Sequence, residues 1–246
     1  MATLVHKHIH RRREVGGVSR LPVLPCFSAG KLVRLALLAF ACSLSGRADG
    51  ATLLGRYELD EGTGAVFADS SGAGNDGQLF NSPAWIAGRT GHAVDFDGVD
   101  DYGKLDANLS TTNGISITAW LNPGPIVSGL QTLCSIGHQS TTAGYHWLYR
   151  TTGKLICQYA YGSGRDEVSH NISFPMGRWT HIAVVHDYTA MVARIYINGA
   201  LAETEDHAPT TVVPVSNKAC HIGQYIGGST FFDGAIDRLH IYEGAL

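Results

Sequence analysis

Trp179-Thr180-His181-Ile182-Ala183-Val184-Val185, followed by Ala193-Arg194-Ile195-Tyr196-Ile197-Asn198-Gly199-Ala200-Leu201-Ala202, decides the fold class. The first run alternates with period two, which sends successive side chains to opposite faces of a strand. The second reads as a hairpin, because Asn-Gly tolerates the positive φ that a two-residue type I′ turn requires. A helix would need apolar residues at a spacing of three to four, and no segment beyond residue 51 sustains that over three turns.

The same reading extends in both directions. Ile115-Ser116-Ile117-Thr118-Ala119-Trp120-Leu121 and Tyr145-His146-Trp147-Leu148-Tyr149 alternate likewise, and Ile236-Asp237-Arg238-Leu239-His240-Ile241-Tyr242 forms a last strand near the terminus. About a dozen short β-branched and aromatic runs, bounded by Gly, Asn, Asp and Pro, predict an all-β chain. That number suits a two-sheet antiparallel sandwich better than a small barrel.

Residues 1–50 read as an export leader. Arg11 to Arg13, Lys31 and Arg34 precede the apolar run Leu35 to Leu44, and Ala48 and Gly50 suit a cleavage site before Ala51. The apolar run is shorter than the about 20 residues a membrane span needs, so cleavage and secretion (or a periplasmic location) are expected rather than anchoring. Cys42 after Ala39-Phe40-Ala41 matches a lipoprotein box only in part, which leaves lipid anchoring as the lesser alternative. Residues 51–246 then form one domain. The leader holds eight of the 18 Lys and Arg and two of the 21 Asp and Glu, so the remainder carries 10 − 19 = −9. A surface of that sign repels phosphate backbones, which argues against nucleic acid and favours calcium as a partner. Cys134, Cys157 and Cys220 are an odd set; a Cys134–Cys157 bridge and buried free thiols both remain open.

Leu59-Asp60-Glu61-Gly62-Thr63-Gly64, Asp69-Ser70-Ser71-Gly72-Ala73-Gly74-Asn75-Asp76-Gly77, Val94-Asp95-Phe96-Asp97-Gly98-Val99-Asp100-Asp101-Tyr102, Ile117-Thr118-Ala119-Trp120, Trp179 to Val184, Tyr196-Ile197-Asn198-Gly199 and Ile236 to Tyr242 follow one another in order. In that order they resemble the laminin-G-like members of the concanavalin A-like lectin/glucanase superfamily, from about Leu53 to Leu246. The resemblance implies a jelly-roll β-sandwich with a concave and a convex sheet, often a bound calcium, and a binding role where acidic catalytic motifs are lacking.

Two acidic segments are candidate metal loops. In Asp69 to Gly77, calcium would take side-chain oxygens from Asp69 and Asn75, a carbonyl from Gly72 and a carboxylate from Asp237 on the last strand. Ala73 stands where similar domains commonly have Asn. The competing reading is an Asx turn whose side chains bond their own backbone. Asp97 to Tyr102 lacks an EF-hand's ligand spacing, and a turn with Gly98 at positive φ explains it.

Catalytic motifs are incomplete. Glu58-Leu59-Asp60-Glu61-Gly62 ends in glycine where the E-x-D-x-E of laminarinase-type hydrolases needs a third carboxylate. Arg165-Asp166-Glu167-Val168-Ser169 matches the R-x-E-[LV]-R strand of alginate lyases in part, with no Q-[IV]-H elsewhere, and neither G-x-S-x-G nor H-E-x-x-H occurs. Recognition is favoured over catalysis. For a glycan, Tyr145, Trp147 and Tyr149 share one face of a strand and Tyr159 and Tyr161 one face of the next, flanked by His146, Gln158 and Arg165. These rings form either a sugar-stacking platform or one side of the core. The expectation is a secreted, non-catalytic, lectin-like module with a structural calcium, binding a glycan. An extracellular protein-adhesion module is the alternative, and a divergent polysaccharide lyase or hydrolase is less favoured.

Overall fold

The computed structural model describes residues 50–124, 129–137, 143–150, 152–161, 164–172, 174, 177–206 and 216–246, the side chains of 143, 160, 161, 164 and 165 excepted. The leader, apart from Gly50, lies outside these residues. Among them there is no helix, and none that could cross a membrane.

Among the described residues, sixteen strands build two antiparallel sheets. The first sheet contains β1 (Thr52–Tyr57), β4 (Ala84–Ala87), β5 (His92–Asp97), β7 (Gly114–Pro123), β12 (Thr180–Asp187), β13 (Val192–Ile197), β14 (Ala200–Asp206) and β16 (Asp233–Glu243). Its order is β14-β13-β12-β7-β16-β5-β4, with β1 also paired to β16. The second contains β2 (Val66–Phe67), β3 (Gly77–Phe80), β6 (Tyr102–Leu105), β8 (Leu130–Ile136), β9 (Ala143–Arg150), β10 (Lys154–Tyr161), β11 (Gly164–Asn171) and β15 (Cys220–Ile222), in the order β11-β10-β9-β8-β15-β6-β3-β2. The two-sheet sandwich is as expected, with more strands than the dozen the turn signals marked, because β2, β4 and β15 are too short to show alternation.

The β13–β14 hairpin turns on Asn198 (φ 50°) and Gly199 (φ 82°), the handedness read from the sequence. Asn198 also accepts the His181 amide through its side chain while donating its own N–H to the His181 carbonyl, locking the turn onto β12.

The core lies between the sheets. Ile117, Leu121, Ile182, Val184, Ile195 and Ile241 from the first sheet meet Ile136, Trp147, Tyr149, Leu155, Val168 and Ile222 from the second, all buried. This placement corrects the platform reading. Tyr145, Trp147, Tyr149 and Tyr159 are 5%, 2%, 1% and 4% exposed and pack inward. Period two is the reason: the register sets Tyr145 opposite Tyr159 and Trp147 opposite both Cys134 and Cys157, so one face of β8, β9 and β10 fills the sandwich and the other face points out. Rings buried to that degree have no face left for a sugar. Tyr161 and Arg165 sit on β10 and β11, but their side chains are outside the described set.

The proposed Cys134–Cys157 bridge is likewise excluded by register. Both residues pair with Trp147, from opposite sides, so β9 lies between them. Two strand spacings of about 4.8 Å exceed the Cα separation a disulfide spans. All three thiols are buried and free.

Candidate glycan-binding face

The outward face of the second sheet carries a continuous polar row. Gln78, Lys104, His221, Ser135, His146, Gln158 and Glu167, from β3, β6, β15, β8, β9, β10 and β11, each stand directly opposite the next in the ladder. Six steps at about 4.8 Å give a band roughly 30 Å long, running across the strands. Its members alternate in sequence with core residues, so the pattern that buries Trp147 is the one that presents His146.

The row is held by its own bonds. Ser135 Oγ lies 3.0 Å from His146 Nδ1, and Gln158 Nε2 donates to Glu167 Oε2 at 3.1 Å. Glu167 also pairs with Lys154 at 3.6 Å. Ser135, His146 and Gln158 are buried although they face outward. Part of their cover is a small hairpin around the Gln224–Phe231 bridge, closed by Tyr225 N–H to Thr230 O. It reaches down through Thr230 to Thr132 (2.8 Å between hydroxyls), through Ile226 N–H to Ser135 Oγ (3.4 Å), and through the Tyr225 ring, 4.9 Å from that of His146. Gln224 Oε1 accepts from His221 Nδ1 at 3.0 Å, which fixes the proton on Nδ1 and leaves Nε2 as an acceptor.

Beside the row, Phe80, Tyr102 and His221 stack in parallel, with centroids 4.7 and 5.3 Å apart and interplanar angles of 8° and 19°. All three are half-buried. Burial, and after it the nearby Lys104 charge, hold His221 below the ordinary histidine pKa, so it is neutral at pH 7. Half-buried rings, a neutral imidazole and amide side chains are groups suited to uncharged hydroxyl-rich ligands.

The family model for the concanavalin A-like lectin/glucanases superfamily matches residues 96–246. The chain belongs to this superfamily. Among solved structures, domain 4 of AbnA, an extracellular GH43 arabinanase of Geobacillus stearothermophilus solved with arabinotriose, superposes with a TM-score of 0.65 at 23% identity over 80% of this chain and 94% of that one. The binding domain of Paraclostridial Mosquitocidal Protein 1 gives 0.63 at 13% identity, covering 79% of this chain and 49% of that one. A heptameric SAP-like pentraxin from Limulus polyphemus gives 0.51 at 17%, covering 63% and 76%. The chain spans about half the length of the toxin chains it matches. At these identities the likeness shows the fold alone. No curated protein matches the sequence.

The four residues expected to hold calcium are differently engaged. Asp69 Oδ1 accepts the amides of Arg56 and Ser71 (both 2.9 Å) and Oδ2 that of Asn75 (3.0 Å), while Asn75 donates its side-chain amide to Leu54 O (2.8 Å). Partial burial opposes ionisation, but the bonds from Ser71, Arg56 and Asn75 outweigh it and lower the Asp69 pKa. Asp69 and Asn75 are thus bonded within their turn and to Arg56 and Leu54 of β1. Asp237 bonds elsewhere: its Oδ2 accepts Arg89 N–H (2.7 Å) and Thr90 N–H (3.4 Å) in the β4–β5 turn. Its Oδ1 is buried without a hydrogen-bond partner, and burial raises its pKa. Asp237 therefore offers a buried acceptor that lacks a hydrogen-bond partner.

Asp97, Asp100 and Asp101 bring carboxylate oxygens within 4.8 Å of one another. The turn itself uses them: Asp97 Oδ1 takes Val99 N–H (2.8 Å) and Asp100 N–H (3.3 Å), Asp101 Oδ2 takes Asp97 N–H (3.2 Å), and Gly98 has φ 74°. Glu58 and Asp60 do not make a hydrolase pair. β1 stops at Tyr57, before either carboxylate, Leu59 between them has φ 57°, Glu58 is engaged by Arg56, Arg238 and His240, and Asp60 accepts the His92 amide.

The first sheet's outer face differs in character. Trp120 lies there under the Arg89 guanidinium (5.0 Å) and beside His181 (5.2 Å), and Trp179 is half-buried. Burial lowers the pKa of His181, His221 and His240. The unfolded chain therefore takes up protons before the folded one does as pH falls. Stability is expected to be full above about pH 6.5 and to drop as pH passes down through the ordinary histidine range, a slope that melting curves at pH 7.5, 6.5 and 5.5 would read. A flat profile would contradict the burial of these rings.

The row escaped sequence reading because its members lie on seven strands. His146 and Gln158 were legible as polar groups flanking the rings. His221, Gln224 and Tyr225 were not, since their place depends on β15 pairing with β8, 86 residues away in the case of Cys220 and Cys134.

Proposed function

We propose that this chain is an exported, non-catalytic carbohydrate-binding module that holds a glycan on the outward face of its second sheet. The polar row from Gln78 to Glu167, walled by the Tyr225 hairpin, supports this reading most. Glu167, Gln224 and His221 Nε2 meet sugar hydroxyls, with Gln158 holding Glu167 in place beneath them, while Tyr225 and Tyr102 supply ring surface. A structural neighbour solved with arabinotriose makes short neutral oligosaccharides the first ligands to try. The leader at residues 1–50 supports export. Ser135 does not support acyl chemistry: its hydroxyl is fully buried and also contacts Gly137 O and Ile226 N.

The test is incubation of the full chain with a polysaccharide panel, assayed for retention in affinity gels and for reducing-end or unsaturated products. Retention without product release is expected. Product release abolished by Glu167→Gln would instead support a divergent lyase or hydrolase, and no retention on any polysaccharide would favour protein adhesion.

A structural calcium belongs to the proposal, held at Asp237 with the charge of Asp60 nearby. When bound it would satisfy the orphaned Oδ1 and neutralise a buried carboxylate. Calcium is expected to raise the melting temperature relative to chelator, and Asp237→Asn to abolish that difference. An equal response in both proteins would remove Asp237 from the site.

A further inference from the structure

Cys134 on β8 and Cys220 on β15 bring their Sγ atoms to 3.9 Å inside the core. The strands are neighbours, with Cys134 opposite Ile222 and Cys220 opposite Ile136, so the thiols are diagonal neighbours on the inward face. They are 2% and 0% exposed. Next to Cys134, β8 carries a bulge against β9, a place where backbone geometry departs from the regular ladder.

We propose that Cys134 and Cys220 become joined by a disulfide when the chain folds in an oxidising environment, leaving Cys157 a buried free thiol. Where this happens in the cell rests on the export reading; the chemistry of the pair does not.

The oxidant is a thiol-carrier disulfide such as glutathione disulfide. One cysteine loses its proton and its thiolate attacks the carrier, forming a mixed disulfide and expelling one carrier thiolate. The second cysteine loses its proton and attacks the protein sulfur of that mixed disulfide, expelling the other carrier thiolate. Two electrons pass to the carrier, which takes up the two protons as two thiols. The sulfurs must close from 3.9 Å to about 2.05 Å.

Timing follows from burial. In the folded core, the contact with Cys134 and loss of solvent push the Cys220 thiol well above its ordinary pKa, so it is a poor nucleophile there. The bond therefore forms as β15 docks on β8, before the sandwich closes, and afterwards resists reductant.

The full chain, unfolded and reduced, would be refolded with reduced and oxidised glutathione, its fold checked by circular dichroism, and its thiols blocked in denaturant before peptide mapping. The expected result is a peptide containing Cys134 linked to one containing Cys220, with Cys157 blocked. C157S should keep the link; C134S and C220S should lose it and melt lower by similar amounts. Free Cys134 and Cys220 in refolded protein, or a bridge involving Cys157, would overturn the proposal. A link formed in the refolded protein but absent from protein taken from cells supports the pair and counts only against export.

Discussion

Trp147→Ala is expected to destabilise the fold by about 3–5 kcal/mol, a large part of the 5–15 kcal/mol that holds a typical domain together. Trp147 is among the largest fully enclosed side chains, pairs across the ladder with Cys134 on one side and Cys157 on the other, and lies between Tyr145 and Tyr149 on its own strand face. Removing the indole leaves a cavity that strands fixed on both flanks cannot close. The measurement is a denaturant melt, read as a lower midpoint with an unchanged slope. A variant with wild-type stability that had lost sugar binding would restore the platform reading and place the ring at the surface.

The second large effect is on binding. Tyr225→Ala and His221→Ala are each expected to weaken glycan affinity about 5- to 30-fold, about 1–2 kcal/mol, with little change in the melt. Both side chains are half-buried, and both sit where the 224–231 hairpin meets the polar row. His221 adds a pH signature. Its neutral form offers Nε2 as an acceptor, and protonation turns that acceptor into a donor, so affinity should fall on acidification in the wild type and not in His221→Ala. Identical pH profiles would remove His221 from contact with the ligand.

Local signals made the fold legible. The Asn198-Gly199 turn, the alternation of β7, β9 and β12 and the ordered acidic turns each report on a few consecutive residues, and each is found where the chain places it. The side of the sheet that faces in was not legible on β9, because both faces are rich: Tyr145, Trp147 and Tyr149 on one, His146 and Leu148 on the other, and all five are buried. Only the opposite sheet and the covering hairpin decide between them. The acidic character of the Asp69 loop is legible locally, but its ties to Arg56 and Leu54 of β1 are not, since they join residues 13 and 21 positions apart. Asp237 is legible as an acid on the last strand, but its burial and its tie to the β4–β5 turn, 148 residues away at Arg89, are not.

The central claim is that the outward face of the second sheet is the ligand face. A glycan screen that includes arabinotriose, run on the full chain alongside Tyr225→Ala, His221→Ala and Trp120→Ala, tests it most directly, since Trp120 lies on the outer face of the other sheet. Saturable binding to at least one glycan, weakened in Tyr225→Ala and His221→Ala and unchanged in Trp120→Ala, is the predicted result. Binding that survives in Tyr225→Ala and His221→Ala but disappears in Trp120→Ala would put the ligand on the wrong sheet for this account, and no binding by the folded protein to any glycan would contradict it outright.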